Sequence, residues 1–521
     1  MENTERIRKV ISSLFKLNGL QIRSDATSYL VGILAPLPGL EPEQWAERIV
    51  DRILKVKLKT PLVDKAIVET AVKECGKGTD EGQEELITLI SSFDVPRYSY
   101  NADKKKFLPV TEPNVLMAGA THKALIYRNR YSILLQRTYH HELFSPIIRG
   151  GEWDDARKKF QLRPIEFLAG SNTKVVDVVV LGMISQLKEG KYFIEDNTGS
   201  MELDLSETKF HTGLYTENCF VLAEGMYDEG IFHIKAMGLP PPETALVTKS
   251  YHGSVNFFGG NPNVISKERL RLIDKQNEGA MFVILSDVHL DKISVLEKLR
   301  ILLHGYSEAP PVLFIIMGNF LSEPHGVQSA VALKDCFKTL ADIIAEFPPL
   351  VLNSKFIIVP GPTDPGFVNI LPRPPFADCI TLYFREKIPN SVFASNPFRI
   401  RYCTKNIVIF REDILTKLCR NSIYFPSSGD IPKEFVSTVV GQAHLCPLPL
   451  HICPVYWSFD HALSLYPLPD LVIIGDKADP FTETNTGCIF TNPGSFLKTD
   501  YSFKVYTPFE NKVEDCQLPS D

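Results

Sequence analysis

AMFVILSD (280–287), VLFIIMGN (312–319) and KFIIVPG (355–361) decide how this chain folds. Each is an almost unbroken apolar run of strand length that stops abruptly at polar residues. A strand that is apolar on both faces is covered on both faces, as in a sheet with helices or a second layer packed over it. Helical periodicity returns between the runs, at 291–303 and 329–346. Further strands are expected at 407–410, 451–457, 470–475 and 487–491. Residues 278–521 therefore read as a layered α/β domain. Such domains build their sites at the carboxyl ends of strands. The ends here carry Ser286-Asp287-Val288-His289, Gly318-Asn319 and Gly361-Pro362-Thr363-Asp364, and later Gly475-Asp476-Lys477-Ala478 and Asn492-Pro493-Gly494-Ser495.

Working towards the N-terminus, residues 160–245 change to strand periodicity. VVVLGMI (178–184), KYFIEDNTG (191–199), MELDL (201–205) and CFVLAEGMYDEGIFHIKAMG (219–238) give five short strands with turn residues between them. The order and the longer gap before the fourth suit an oligonucleotide-binding (OB) barrel. Residues 93–159 read as a linker and a connecting helix. The linker holds Pro96, Pro109, Pro113 and the run Lys104-Lys105-Lys106, which suits either a nuclear-import signal or a solvated tether. Helical character resumes over 121–144. Residues 1–92 read as a small helical bundle. Ile7, Val10, Ile11, Leu14 and Phe15 follow one helical stripe, and Tyr29, Leu30, Ile33 and Leu34 a second. Trp45, Ile49 and Ile53 mark a third helix, and Thr60-Pro61 opens a fourth through Ile67 and Val68. Leu86, Ile87 and Ile90 suggest a last short helix.

Composition narrows the function classes. At 521 residues the chain has room for roughly three to four domains. Its net charge of -6 argues against a life spent gripping phosphate backbones. None of the 10 cysteines forms a CxxC pair, and Cys446 and Cys453 are too far apart for a zinc knuckle, so reduced thiols are expected. The opening MENTERIRKV lacks an apolar signal core, and no apolar run approaches the roughly 20 residues a membrane helix needs.

The ordered strand-end motifs resemble those of the calcineurin-like metallophosphoesterases. That family carries DxH, GDxxD, GNH with an acidic residue, a lone His, and GHxH, and its ligands hold two metal ions bridged by the second Asp. Paired metals clamp the attacking and leaving oxygens of phosphoryl transfer. Matched position by position, Asp287 and His289 keep the first motif. Asn319 stands for the bridging Asp, Pro362 for the metal-binding Asn and Thr363 for its neighbouring His. Asp364 is kept, and His444 is matched to the lone His. Asp476 and Ala478 replace the last two histidines, with the cation Lys477 between them. The resemblance thus implies a phosphoesterase fold without metals, cofactors or catalysis.

An inactive phosphoesterase-like domain behind an OB barrel resembles the B-subunit family of the replicative DNA polymerases alpha, delta and epsilon. The resemblance covers residues 121–521. VPGPTDPG (359–366), ILPRPP (370–375), FREDIL (410–415) and NPGSF (492–496) read like its epsilon branch. In that branch the helical N-terminal region resembles the lid domain of AAA+ ATPases. The implied architecture is multidomain α+β: a lid-like bundle (1–92), linker and connecting helix (93–159), OB barrel (160–245) and inactive phosphoesterase sandwich (278–521). The implied role is a nuclear, non-catalytic scaffold that holds the C-terminal region of the catalytic subunit of DNA polymerase epsilon. Its further partners would be the small histone-fold subunits and, through the N-terminal domain, the GINS complex of the replicative helicase. DNA would be touched weakly or indirectly, and membranes not at all.

Rival readings stay open on the residues alone. Asp287 could simply cap the helix that follows. Asp287, His289, Asp364, His444 and Asp476 could form a single-metal phosphodiesterase or nuclease site. The OB barrel could bind single-stranded DNA, which needs basic grooves and stacking aromatics. Tyr192 or Phe193 could stack, but Glu202 and Asp204 make the outer face of the third strand acidic.

Overall fold

The apolar runs form the centre of a two-layer sandwich in the computed structural model. The structure describes residues 2–18, 20–34, 46, 49–50, 53, 62–65, 67–69, 86–145, 160–253, 255–260, 267–323, 326–366, 369–427 and 429–519. The chain divides into two compact units, 1–87 and 88–521.

In the larger unit, Phe282–Leu285, Leu313–Met317 and Lys355–Val359 lie parallel and adjacent, with Phe282 opposite Leu313 and Leu313 opposite Lys355. Ser391–Phe393 extends one edge of this six-stranded sheet, and the antiparallel pair Ser502–Thr507 and Lys512–Gln517 extends the other. The helices Ile293–Tyr306, Ser329–Ala345 and Asp378–Lys387 cover it, burying Val295, Leu299, Phe337, Leu340 and Phe384. A second six-stranded sheet runs in the order Phe481–Asn485, Cys488–Asn492, Leu471–Gly475, Lys405–Arg411, Phe398–Tyr402, Ile87–Ser91. The helix Ile431–Gln442 packs on it, Phe435 meeting Phe481 edge-on. Every residue of the Phe282–Leu285, Leu313–Met317, Leu471–Gly475 and Cys488–Asn492 strands is buried, as continuous apolar runs require.

Three expectations need correction. Residues 451–457 are not a strand. Pro449 and Pro454 interrupt the ladder donors, the amides of Ile452 and Cys453 turn back onto the Pro449 carbonyl, and only an isolated bridge joins Val455 to Leu371. Ile87–Ser91 is a strand, not a helix, on the edge of the second sheet. Its β-branched residues suit a strand, and Ser92 fixes its end through the Ser395 hydroxyl and the Pro397 carbonyl. The stretch read as a tether is in part a packed hairpin. Tyr98–Asn101 pairs with Lys106–Pro109, and Phe107 is buried against Phe257 and Tyr466.

The barrel follows its expected strand order. Phe220–Asp228, Val175–Lys188, Lys191–Glu195, Ser200–Asp204, Ile231–Gly238 and Lys209–Phe210 are neighbours in turn, and the Phe220–Asp228 to Ile231–Gly238 pairing closes the sheet. It is bolted to the sandwich by buried polar contacts. The Gln442 amide exchanges hydrogen bonds with the Phe220 backbone at 2.8 and 2.7 Å, and Thr438 accepts from the Leu214 amide at 2.7 Å. The connecting helix Ala120–His140 also enters this seam. Arg137 is fully buried and donates to the carbonyls of Val440, Gly441 and Pro240.

In the smaller unit, Glu2–Leu17 and Ser24–Leu34 are helices that bury Ile7, Ile11, Phe15, Leu30 and Leu34 together with Ile49, Ile53 and Val68. Gln21–Ile22 adds a short parallel pairing with Leu62–Val63. Trp45, Thr60, Pro61 and the Ile33 side chain lie outside the described residues. Among the described residues no helix is long and apolar enough to cross a membrane.

Candidate functional site

The strand ends of the two sheets converge on Asp287, which is almost fully buried. Its φ of +56° is left-handed, a conformation Asp tolerates better than most residues. The segment after Leu285 therefore turns sharply at this carboxylate. Oδ2 accepts the Ser495 hydroxyl at 2.7 Å. Oδ1 accepts the Asn319 side-chain amide at 3.1 Å and the Arg411 guanidinium at 3.1 Å, with His289 Nε2 at 3.3 Å. Burial pushes the Asp287 carboxyl up, but the His289 contact, the Arg411 charge and the Ser495 bond outweigh it and hold the group well below the usual carboxylate range.

Arg411 is the residue that the strand-end motifs did not reveal. It ends the Lys405–Arg411 strand and has no exposed side-chain surface. Its guanidinium donates to the carbonyls of Gly318 and Gly475, which end two of the apolar strands, and pairs with Asp287 and with Asp413 at 2.9 Å. Burial disfavours its charge, yet Asp413 and Asp287 raise its pKa. The packing is tight. A Cβ on Gly475 would stand 2.5 Å from Ser286 Oγ and 2.7 Å from Arg411 Cδ. Only glycine lets the strand end lie against the arginine.

The remaining carboxylates are spent on the chain's own backbone. Asp364 accepts the Phe320 and Gly361 amides, both at 2.7 Å, and burial pushes its pKa up to about 6. Asp476 accepts the Ala478 amide at 2.9 Å and the Leu415 amide at 3.0 Å, and burial raises it also. Asn319 Oδ1 accepts the Thr363 amide at 2.9 Å. Pro362 lies in the turn between Gly361 and Thr363. His289 Nδ1 is buried without a hydrogen-bond partner. Among the described residues no group of three or more His, Cys, Asp or Glu side chains is arranged to hold a metal ion.

Three sequence expectations are not what the structure holds. His444 is not brought to Asp287. Its Nδ1 accepts the Cys446 amide at 3.0 Å and its Nε2 faces Asp460 at 3.4 Å, beside Arg130. Lys477 does not point into the cluster but pairs with Asp413 at 3.1 Å, with 43% of its side chain exposed. Nor does Asp287 cap a helix. The Ile293–Tyr306 helix starts after Lys292 with no side-chain cap. The signal that could have found Arg411 is the charged triplet Arg411-Glu412-Asp413 directly behind the apolar IVIF (407–410). A charge placed there must be buried and therefore paired.

Three family models match the chain: DNA polymerases epsilon N terminal over residues 3–75, DNA polymerase epsilon subunit 2-like OB-fold domain over 120–241, and the B subunit of DNA polymerase alpha/epsilon over 282–483. DNA polymerase epsilon subunit 2 of Bos taurus and of Homo sapiens are each 51% identical to it, over 99% of this chain and 99% of theirs. The chain belongs to the DNA polymerase epsilon subunit 2 family. The Drosophila melanogaster epsilon subunit 2 is 39% identical over 99% of this chain and 98% of its own. The four stretches that read as epsilon-like from sequence meet around one centre in this family member. FREDIL supplies Arg411, NPGSF supplies Ser495 and VPGPTDPG supplies Asp364. ILPRPP supplies Arg373, which pairs with buried Glu412 and donates to the Arg411 carbonyl at 3.2 Å.

Proposed function

We propose that this protein is a non-catalytic accessory subunit of DNA polymerase epsilon whose phosphoesterase-like centre serves as an ionic clamp between two sheets. The observation that carries the reading is the buried Arg411 guanidinium on Asp287, joined to the carbonyls ending strands of both sheets. The donor set does not fit paired dications. A metal ion drawn to Asp287 would meet a fixed cation, the Arg411 guanidinium already 3.1 Å from Oδ1. Both oxygens of Asp364 and of Asp476 already accept backbone amides. Asn319 supplies a neutral amide where a bridging anion is needed.

The accessory role is supported by the names of relatives that span this chain end to end. In this reading residues 121–521 hold the catalytic subunit's C-terminal region, and residues 1–92 face the GINS complex of the replicative helicase, with the histone-fold subunits in the same nuclear assembly. The barrel contributes support, not DNA binding: on its third strand Glu202 pairs with Lys191 and Asp204 contacts His233, so the outer face presents acidic groups that already hold the nearby lysine. Co-purification of the catalytic subunit's C-terminal region with residues 121–521 tests the division of labour. Capture by residues 1–92 alone would overturn it.

A further inference from the structure

We infer that the seam between the connecting helix, the Tyr98–Pro109 hairpin and the sandwich contains a binding cavity for a ring-sized aromatic carboxylate. The cavity measures about 230 Å³. A dry cavity of about 150 Å³ is enough to admit benzene, so one or two fused rings fit. No residue of the Asp287 cluster lines it; its apolar wall includes Phe107, Ile126, Ile133, Phe257 and Trp457.

The polar part of the wall is unusual. Native interiors leave few buried polar atoms unpaired. Among the described residues such atoms are few, and three belong to residues of this one wall: His122 Nδ1, Arg399 Nε and Ser458 Oγ, while His444 Nε2 faces Asp460 at 3.4 Å and the Tyr466 hydroxyl is engaged by Glu243. Arg399 and Ser458 are each at least nine-tenths buried. The available groups are biased towards donors. Arg399 Nε can only donate. The Ser458 hydroxyl can donate as well.

Charge adds the second half of the ligand. Arg130 is neutralised by Asp460 through two hydrogen bonds, and Arg97 stands 3.6 Å from Glu112. Arg399 is different. Its terminal nitrogens donate to four carbonyls, those of Phe257, Phe258, Ala462 and Ser464. Among the described residues no carboxylate balances it, and burial lowers its pKa to about 10. An apolar cavity with spare donors and one uncompensated cation selects an apolar ring bearing an anionic, hydrogen-bond-accepting head.

Isothermal titration calorimetry on the full chain, with indole-3-carboxylate and its neutral carboxamide as probes, tests this. The carboxylate is expected to bind at least ten-fold more tightly than the carboxamide. Ile133→Phe and Val110→Phe, which fill the cavity from the connecting helix and from the end of the hairpin, should each weaken carboxylate binding at least ten-fold, and Ser458→Ala several-fold. Circular dichroism melts identify any variant that fails to fold, and the other filling variant then decides. Failure of both probes to bind, equal affinity for acid and amide, or undiminished binding in a folded filled variant would each overturn the inference, leaving a cavity that holds only water.

Discussion

Replacing Arg411 by Met removes the cation from the clamp while keeping much of its bulk. The structure sets the cost. Asp287 would remain almost fully buried with its only arginine partner gone, and the carbonyls of Gly318 and Gly475 would lose a donor. Charge centres roughly 4 Å apart at an effective dielectric of about 20 interact by about 4 kcal/mol. Each orphaned acceptor adds about 1 kcal/mol or more. Relaxation and the remaining His289 and Ser495 contacts take some of this back, so a loss of about 3–5 kcal/mol is expected, the range for breaking a buried pair. The loss should depend on pH only in strong acid. In the wild type the Asp287 pKa lies below its unfolded value of 3.8, so its contribution is present above pH 3.8 and fades only below it. Without Arg411 the folded pKa rises, but the His289 and Ser495 contacts still lower it, so the deficit should hold steady from pH 7 to pH 4 and shrink only below that. Asp287→Asn combined with Arg411→Met removes both charges but still orphans the two carbonyls, and should settle about 2 kcal/mol below wild type. Urea unfolding at pH 7 and pH 5 measures the losses and their constancy. A single variant within about 0.5 kcal/mol of wild type, or a double variant no better than the single, would refute the reasoning.

Gly475→Ala should destabilise by about 1–3 kcal/mol in thermal or urea melts, because its new methyl meets Ser286 and Arg411 at 2.5 and 2.7 Å. Two half-buried groups should oppose each other in acid. Burial lowers His461 to about 4 from 6.5, so the unfolded chain takes up its proton first and about 3 kcal/mol is lost as pH falls from 6.5 to 4. Burial raises Asp364 to about 6 from 3.8, so the folded chain protonates first and a similar amount is gained as pH falls from 6 to 3.8. His461→Gln should therefore leave stability rising on mild acidification, read from urea midpoints between pH 6.5 and 4; a profile identical to wild type would rule out the His461 contribution. Shortening a chain of residues 88–521 to 96–521 removes buried Ile90 and Val95 and the edge strand, and should cost at least about 2 kcal/mol in the same melts.

The sandwich was legible because its central strands are apolar on both faces, a pattern that few other structures explain. The barrel was legible from alternation and turn residues. The hairpin at 98–109 was obscured by prolines and lysines that read as a tether. Its pairing depends on Phe107 finding Phe257 and Tyr466, which no local pattern announces. The edge strand at 87–91 misled for a similar reason: ITLIS suits helix or strand until Phe398–Tyr402 offers it a partner. At the site, the strand-end motifs point to the residues that meet at Asp287 but draw in His444 as well. That histidine is committed to Cys446 and Asp460 elsewhere. Arg411 escaped notice because the surviving metal ligands say nothing about which charge balances a carboxylate left buried.

The central claim is that a guanidinium, not a metal pair, completes the Asp287 centre. It is tested most directly by manganese-dependent hydrolysis of bis(p-nitrophenyl) phosphate, comparing the purified wild type with Asp287→Ala and following bound metal by elemental analysis of the same samples. The account predicts no hydrolysis that depends on Asp287 and substoichiometric metal in both proteins. Near-stoichiometric manganese, zinc or iron in the wild type, with hydrolysis abolished by Asp287→Ala, would contradict it.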